Sequence, residues 1–320
     1  MPVLDDWQSF VFLAAEIAKE FTGSDLSFHI VAVDDGSTVA FDPGSVELAP
    51  ASCVASIEVV RLAVNLGHQR AIAAGLVTLA RREGFDAVVI MDCDGEDRPA
   101  DIAALLDANQ KEPSVIVLAR RTERTETLAF KIGYFVYKAL FRVMTGQTIN
   151  FGNFSLLPIA AVRRLVYMPE LWNNLPAAVM RSRMRYTTVP TRRGWRYFGT
   201  PRMNKTALVV HGLSAISVYS DLIFVRMLIA AALVSCASVA AFVGVMLIRL
   251  LTDLAVPGWA TTAAGDLLII LLLTAVVAVA TLLVVLSCRS LPPVVPMQHA
   301  WVYLVSEKNA PSDSPSRHEI

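Results

Sequence analysis

The sequence predicts an α/β domain, built on a mostly parallel sheet with helices on both faces, followed by a hairpin of two transmembrane helices. Short β-branched runs alternate with segments of helical spacing between residues 28 and 120, which is the pattern of strands joined by crossover helices. Two long uncharged apolar stretches follow in the last third of the chain. Hydrophobic residues make up 55% of the 320 residues, so part of the chain is expected to lie in lipid.

The predicted strands end in polar side chains. The runs "FHIVAVDD" (28–35) and "DAVVIMD" (86–92) end in acids, and "SVIVLARR" (114–121) ends in bases. The segments between them, "HQRAIAAGLVTLARREG" (68–84) and "PADIAALLDANQ" (99–110), have the apolar spacing of helices. Ligands of such sheets bind at the carboxyl ends of the strands, which is where these polar clusters lie.

Composition divides the chain into four predicted segments. Residues 227–248 and 267–287 carry no charge and are long enough as helices, at about 1.5 Å per residue, to cross a bilayer core of about 30 Å. Two buried core helices of a soluble protein are the alternative. The apolar segment before them is too short to span and predicts an interfacial amphipathic helix. The globular domain, interfacial helix, two spans and polar tail cover residues 1–205, 206–221, 222–289 and 290–320.

Basic residues near the ends of the spans predict the orientation of the chain. Arg202, Lys205 and Arg226 precede the first span and Arg289 follows the second, whereas the connecting loop offers only Arg249. Because basic residues favour the cytoplasmic side, both chain ends and the globular domain are expected in the cytoplasm. The protein is therefore expected to be a multi-pass protein of the inner, or cytoplasmic, membrane.

Charge and cysteine content exclude other classes of protein. The 28 Lys and Arg residues balance 28 Asp and Glu residues, so no nucleic-acid partner is expected. The cysteines at positions 53, 93, 236 and 288 have no paired spacing. They indicate neither a zinc site nor a disulfide framework.

An acidic cluster follows the second of these strands. Asp92 and Asp94 have an Asp-x-Asp spacing, which can hold a divalent cation through carboxylate oxygens, and such a cation can bridge two phosphates of a nucleotide. Taken alone, this spacing is more often a set of solvated loop acids or the charged first turn of a helix. Pro99 and Asp101 suit such a first turn.

Five motifs in matching order favour the metal-binding interpretation. They are "VAVDDGST" (31–38), "NLGHQRAIAAGL" (65–76), "MDCDGEDRPADI" (91–102), "RRTER" (120–124) and "GNFSLL" (152–157). Together they resemble family 2 glycosyltransferases of the GT-A fold. The paired C-terminal spans narrow the resemblance to the polyprenyl-phosphate glycosyltransferases, which are related to dolichyl-phosphate mannose synthase, and residues 1–205 would then be the GT-A catalytic domain.

The resemblance implies an inverting, metal-dependent hexosyltransferase. Such an enzyme transfers a sugar from a UDP- or GDP-sugar to polyprenyl phosphate at the cytoplasmic membrane face, and it uses Mg²⁺ or Mn²⁺. The identity of the sugar, the nucleotide, the lipid length and whether copies of the chain form a homo-oligomer are left open.

The resemblance also implies roles for individual acids on the donor side. Asp5, Asp34 and Asp35 match the acids that meet the nucleoside of the donor. Asp92 and Asp94 match the metal-binding pair, with Asp94 as the direct ligand of the cation on the diphosphate. The catalytic residues that the resemblance implies are Asp94, Arg121 and Asn153.

On the acceptor side, Arg121, Arg124, Arg196 and Arg202 match arginines of the family. Their guanidinium forks suit phosphate oxygens, and anionic lipid headgroups are the alternative partners. Asn153 stands where comparable enzymes often carry an Asp, a candidate general base. An amide cannot take a proton, but a phosphate monoester is largely ionised at neutral pH and needs little base catalysis. Asn153 is therefore interpreted as an orienting hydrogen-bond partner, with a structural loop role as the alternative.

Three further positions have open interpretations. His68 lies just before the helix predicted near the donor, where it either contacts a ligand or serves as a helix-capping or surface residue. Trp172 and Trp195 are interpreted as interfacial or core aromatics.

Four departures from the family pattern support a different function. Glu96 replaces the usual Gln, Pro201 replaces the usual Ser, and Asn153 stands where an Asp is often found. The chain also begins "MPVLDDW", where family members have already formed an apolar strand. We therefore expect a missing or badly shortened first strand, with either a start upstream or an impaired nucleotide pocket. The alternative function is a catalytically impaired, membrane-anchored nucleotide-sugar-binding protein. A processive polysaccharide synthase fits less well, because it needs a Gln-x-x-Arg-Trp motif and more spans.

Overall fold

The computed structural model describes six stretches of the chain and divides it into two compact units. The first unit comprises Met1–Tyr134, Ile149–Val218 and Val294–Ile320, and the second comprises Phe135–Thr148 and Tyr219–Pro293. The described stretches are residues 1–46, 52–122, 128–148, 150–199, 205–252 and 258–305.

The first unit contains a parallel sheet of three strands in the order β1-β2-β3. Strand β2 pairs with β3 over its whole length, but with β1 only at Pro2↔Val33 and Val3↔Asp34. The β-branched residues of β2 face the interior, and five consecutive residues at its carboxyl end are buried. The strands are β1 (Pro2–Val3), β2 (Phe28–Asp34) and β3 (Val54–Arg61).

A second sheet of four strands has the order β4-β6-β5-β7. Strand β6 runs antiparallel to both β4 and β5, and β7 runs parallel to β5. Parallel pairings remain the majority among the described strands, so the predicted mostly parallel α/β fold is confirmed. The strands are β4 (Ala87–Ile90), β5 (Ile116–Arg121), β6 (Ser155–Pro158) and β7 (Tyr186–Thr191).

Helices cover both faces of the sheets, as predicted. One hydrophobic cluster contains Phe10 and Leu13 of α1 with Ile102 and Leu105 of α3, and the other is built mainly from α2, α5 and α6. Helix α2 ends at Ala80, before the end of the predicted helical segment at residue 84, whereas α3 begins at Pro99 as expected. The helices are α1 (Trp7–Glu20), α2 (His68–Ala80), α3 (Pro99–Lys111), α4 (Leu128–Thr145), α5 (Ile159–Leu165) and α6 (Leu175–Arg181).

A cavity of about 450 Å³ lies between β2 and β4 and is lined by apolar side chains such as Ile30, Ile72 and Ile90. Strand β1 next to it is two residues long, and among the described residues β4 pairs only with β6. The Met1 amino group donates a hydrogen bond to the Val31 carbonyl oxygen at 2.9 Å. Burial there lowers the pKa of this amino group to about 6.

The second unit contains two helices that are long and apolar enough to cross a membrane. Helices α8 (Ser220–Leu251) and α9 (Trp259–Ser290), which follow α7 (Lys205–Ser217), have 32 residues each and extend beyond the predicted spans at both ends. They pack against each other, and the hydroxyl groups of Ser235 and Thr274 are 3.0 Å apart. The predicted interfacial helix is present as α7, and its location at an interface stays a prediction.

The residues after α9 return to the first unit, which the sequence did not predict. The chain forms α10 (Pro296–His299) and a 3-10 turn at Ala300–Tyr303. Tyr303 accepts a hydrogen bond from the Ala63 amide at 2.8 Å, and the guanidinium of Arg81 lies 4.1 Å from the centroid of the Trp301 ring. These contacts attach the chain beyond the two long helices to the edge of β3. The predicted polar end after residue 305 lies outside the described residues.

Helix α2 approaches β2 so closely that only glycine fits at position 75. A Cβ atom at Gly75 would lie 2.7 Å from Cγ2 of Val33. We expect Gly75→Ala to lower the free energy of unfolding by about 1–3 kcal/mol, because overpacking outweighs the gain of about 1 kcal/mol in helix propensity. Denaturant unfolding of the full chain in detergent, followed by tryptophan fluorescence, measures this change.

Two further variants make that measurement specific. Adding Val33→Ala should restore part of the loss, since it removes the clashing methyl group. Gly152→Ala is the matched control, because no atom lies within 4 Å of a Cβ at that position. A more stable Gly75→Ala variant would contradict the close approach of helix and strand.

Candidate functional site

The acidic turn, residues 92–97, follows β4 and is held by its own backbone. The Asp94 carboxylate accepts a hydrogen bond from the Glu96 amide at 2.9 Å, and the Asp97 carboxylate accepts one from the Asp92 amide at 3.1 Å. Gly95 permits the turn with φ of +89°, a conformation that other residues rarely adopt. The carboxylates are thus crowded at the carboxyl end of a strand, as predicted.

Two arginines from distant parts of the chain offset the charge of the acidic turn. Arg121, at the end of β5, donates to Asp97 at 3.0 Å and to Glu96 at 3.4 Å. Arg193, after β7, donates to both oxygens of Glu96, at 2.7 and 3.1 Å. Burial acts to raise the pKa of Glu96, but the hydrogen bond and charge of Arg193 outweigh it and hold that pKa below its usual value.

A third arginine, Arg196, lies against the predicted metal ligand. Its guanidinium is 3.2 Å from Asp94 and 3.6 Å from Asp6. The Nε atom of Arg196 is buried without a hydrogen-bond partner among the described residues, so this contact leaves part of its donor capacity unused.

The segment that carries these arginines crosses directly over the acidic turn. The Gly194 amide donates to the Glu96 carbonyl oxygen at 2.8 Å, and the Tyr197 amide donates to the Asp94 carbonyl oxygen at 2.9 Å. A Cβ atom at Gly194 would lie 2.1 Å from the Gly95 carbonyl oxygen. The two backbones can therefore meet only because both positions are glycine.

A chain of amide hydrogen bonds joins Asn153 to His68. The Leu175 amide donates to Gln69 Oε1 at 2.8 Å, and Gln69 Nε2 donates to Asn153 Oδ1 at 2.9 Å. Asn153 Nδ2 is therefore the group that meets His68 Nε2, at 2.9 Å. Because the Leu175 amide can only donate, every amide orientation along this chain is fixed, and His68 Nε2 must accept.

His68 is thereby held as a neutral imidazole beside the acidic turn. Although 35% of its side chain is exposed, desolvation by the surrounding atoms lowers the pKa of His68, while the charge of Asp97 acts in the opposite direction. Its Nε2 atom lies 3.4 Å from Asp92 Oδ1. That oxygen is buried and has no hydrogen-bond partner among the described residues.

The acids predicted to meet the nucleoside already accept hydrogen bonds from loop backbones. Asp34 accepts from the Ser37 amide at 2.7 Å, and Asp5 accepts from the Thr38 amide at 2.6 Å. Asp35 accepts from the amides of residues 66 and 67 at 2.7 and 2.9 Å and so fixes the start of α2. These three acids shape the loops at the end of β2, and their contact with a nucleoside stays a prediction.

Comparison with known proteins finds a similarity to one family. Residues 12–165 match the family model described as Glycosyl transferase family 2. This stretch, just under half of the chain, is therefore similar to that family. The matched region includes the acidic turn, Arg121 and Asn153, whereas Arg193 and Arg196 lie beyond it.

One curated relative adds support for this similarity. A protein of Synechocystis sp., described as an uncharacterized glycosyltransferase, is 26% identical over 178 residues, covering 53% of this chain and 52% of the relative. The chain therefore spans about half the length of the curated relative that it matches.

The fold brings most of the predicted site residues together. Asp92, Asp94, Arg121, Arg196 and Asn153 all lie within the network around the acidic turn and His68. Arg124 and Arg202 lie outside the described residues. Sequence analysis did not identify the roles of Arg193 and Gln69. The position of Gln69 directly after His68 was the available signal, whereas the partner of Arg193 depends on the crossing of two distant segments.

No group of three or more carboxylate, histidine or cysteine side chains in the described ranges is arranged as a complete metal site. A cation would therefore need ligands from a bound diphosphate or water in addition to Asp92 and Asp94. The unpartnered oxygen of Asp92 and the charged oxygen of Asp94 fit that requirement, since both are hard oxygen ligands.

Two carboxyl groups of the turn, those of Asp92 and Asp97, hold protons to an unusually high pH. Burial, followed by the charge of Asp94, raises the pKa of Asp92 to about 6. Burial and the charge of Asp92 raise the pKa of Asp97 to about 7. Below these values a cation must displace a proton, so cation binding should strengthen as the pH rises.

We expect the affinity for Mn²⁺ to rise about tenfold per pH unit until these carboxyl groups have ionised, and then to level off. Titration of the full chain with Mn²⁺ at about pH 5.5, 6.5, 7.5 and 8.5, followed by electron paramagnetic resonance, measures it. Asp92→Asn should flatten the dependence. An affinity of the native chain that does not change with pH would rule out proton-linked binding at this turn.

Proposed function

We propose that this chain is an inverting hexosyltransferase that transfers a sugar from a UDP- or GDP-sugar to polyprenyl phosphate at the cytoplasmic membrane face, with Mg²⁺ or Mn²⁺. The observation that carries the proposal is the acidic turn within the stretch similar to family 2, where Asp92 presents a buried unpartnered oxygen next to Asp94. The two long apolar helices favour a lipid acceptor over a soluble one.

The donor side rests on Asp92 and Asp94. A bound divalent cation would supply Lewis-acid chemistry and neutralise the leaving diphosphate. Asp92 and Asp94 would hold that cation, and Arg196 would exchange its contact with Asp94 for a phosphate oxygen. The buried, unpartnered Nε atom of Arg196 supports this role, since a guanidinium presents several donors to a phosphate group.

On the acceptor side, the proposed role of the protein is to orient the acceptor phosphate. An acceptor phosphate with its second pKa near 6 is already an adequate nucleophile at neutral pH, so it needs positioning and little proton transfer. Asn153 is fixed by Gln69 and His68, which supports an orienting role over proton transfer. Attack on the anomeric carbon from the side opposite to the diphosphate inverts that centre.

The membrane topology of the proposal has a second line of support. The segments before α8 and after α9 both belong to the first unit. A chain that leaves a domain, crosses a bilayer and returns to the same domain must cross an even number of times. This return supports a two-span hairpin, and the basic residues around it support a cytoplasmic domain.

The alternative of a membrane-anchored nucleotide-sugar-binding protein also has an observation in its favour. Arg196 already neutralises Asp94, and the sheet is interrupted between β2 and β4. Such a protein would bind the donor without turnover.

The deciding experiment measures transfer directly. Membranes containing the full chain are incubated with polyprenyl phosphate, Mn²⁺ and a panel of radiolabelled UDP- and GDP-sugars, and label in the organic phase is counted. We expect label from one donor, abolished by a chelator and restored by excess Mn²⁺. Donor binding without label in the organic phase would favour the binding protein instead.

Replacing Asp94 tests the role of the turn in that reaction. We expect Asp94→Asn to lower the transfer rate about 100-fold or more, because it removes a charged ligand from the leaving-group side. Asp107→Asn is the matched control, since Asp107 is an exposed acid of α3. Full activity of the Asp94→Asn variant would exclude the proposed metal site.

A further inference from the structure

Trp195 is the most exposed large apolar side chain in the described part of the first unit. Its side chain is 92% exposed, compared with 7% for Trp172, the other tryptophan considered from the sequence. An indole of this size is usually buried in a core or at an interface. The sequence did not distinguish whether each tryptophan is an interfacial or a core residue. In the structure Trp172 is buried and Trp195 is exposed.

The exposure of Trp195 is imposed by its backbone. Hydrogen bonds from Gly194 and Tyr197 attach the chain to the acidic turn on either side of the tryptophan. The Trp195 carbonyl oxygen would lie 2.8 Å from a Cβ at Gly95, so the backbone at this residue is packed tightly against the turn. The indole is therefore held outward at the apex of a fixed segment.

The residues around Trp195 have the composition of a membrane-interface segment. Arg192 is exposed, and Tyr197 and Phe198 follow, with ring centroids 4.6 and 5.9 Å from that of the exposed Phe12. Aromatic side chains combined with arginine are favoured at the headgroup level of bilayers, where an indole has apolar and polar neighbours together. A protein partner would be expected to meet a broader apolar surface than one indole.

The chain itself provides the bilayer. Helices α8 and α9 are long and apolar enough to span it, and α8 begins only a short stretch of chain after Trp195. A lipid surface around these helices would therefore be covalently tethered to this segment, which raises its effective concentration there.

We propose that Trp195 inserts into the headgroup layer of the phospholipid bilayer and anchors residues 192–198 to the lipid surface. The contact would connect the acidic turn to the membrane through a segment that also carries Arg193 and Arg196. This inference rests on the proposed membrane insertion of the two long helices, and it is independent of sugar transfer.

Tryptophan quenching in vesicles tests the insertion. The full chain is reconstituted in phosphatidylcholine and phosphatidylglycerol vesicles whose acyl chains are brominated close to the headgroup. The chain has five tryptophans, so the contribution of each position is obtained from a Trp→Phe variant. The emission of Trp195 is the difference between the spectra of the native chain and the Trp195→Phe variant. We expect bromine to reduce this emission about twofold or more. Trp7→Phe, which removes an indole bonded to the Val39 carbonyl oxygen, should leave the quenched part unchanged.

Two controls separate the outcomes. Trp259, at the start of α9, reports membrane insertion of the helices, so Trp259→Phe should also remove a quenched component. If Trp259 is quenched and Trp195 is not, the inference is wrong. If neither is quenched, membrane insertion itself fails and the inference fails with it. Quenching of Trp195 only after polyprenyl phosphate is added would also overturn it, since the contact would then be with the acceptor.

A photocrosslinking measurement gives an independent answer. Benzoylphenylalanine at position 195 should crosslink to lipid in illuminated membranes. The same residue in place of Tyr167, which is 57% exposed in the first unit, serves as the matched position and should not. Equal lipid crosslinking at both positions, or none at 195, would contradict a specific contact of Trp195.

Discussion

The pairing of arginines with the acidic turn is the constraint on which the rest of the site depends. Four carboxylates within six residues would repel one another, and burial would increase the cost. Arg121 comes from β5, and Arg193 and Arg196 come from the segment after β7. The charges therefore join three strand ends, and the backbone bonds at Gly194 and Tyr197 complete the same contact. The acidic turn and its arginines, which could bind a ligand, therefore also hold these loops together.

The distribution of these charges explains why one acid differs from the others. Asp94, Glu96 and Asp97 each form an ion pair with an arginine. Asp92 instead lies 3.4 Å from the neutral His68, and the charges of Arg121 and of the Met1 amino group act on it without forming an ion pair among the described residues. Asp92 is thus the carboxylate of the turn that has a buried oxygen without a hydrogen-bond partner among the described residues. A divalent cation would add the missing positive charge at this point. Glu96, which departs from the family pattern, forms ion pairs with Arg193 and Arg121. These arginines neutralise its extra charge, so Glu96 does not serve as an additional metal ligand.

Much of this arrangement follows from local sequence patterns, and the remainder depends on distant contacts. The alternation of apolar runs and helical spacing was sufficient for the α/β fold, and the long uncharged stretches were sufficient for α8 and α9. Asp92, Asp94 and Arg121 were found because each follows a predicted strand. Arg193 was missed because its partner, Glu96, is brought to it only by the crossing of two segments far apart in sequence. The return of the chain after α9 depends on similar long-range packing, at Trp301 and Tyr303, which no local periodicity encodes.

Asn153 shows why a single substitution from the family pattern cannot be judged in isolation. With an amide at this position, the donor at Leu175 sets the direction of every hydrogen bond through Gln69 to His68, and the imidazole stays neutral. A carboxylate at position 153 would accept from Gln69 and also favour a proton on His68 Nε2. The imidazole would then present an N–H donor 3.4 Å from Asp92, where it would compete with a cation for that carboxylate oxygen. The asparagine therefore keeps the surroundings of Asp92 suited to a cation, and its lack of basicity is no evidence of an impaired site.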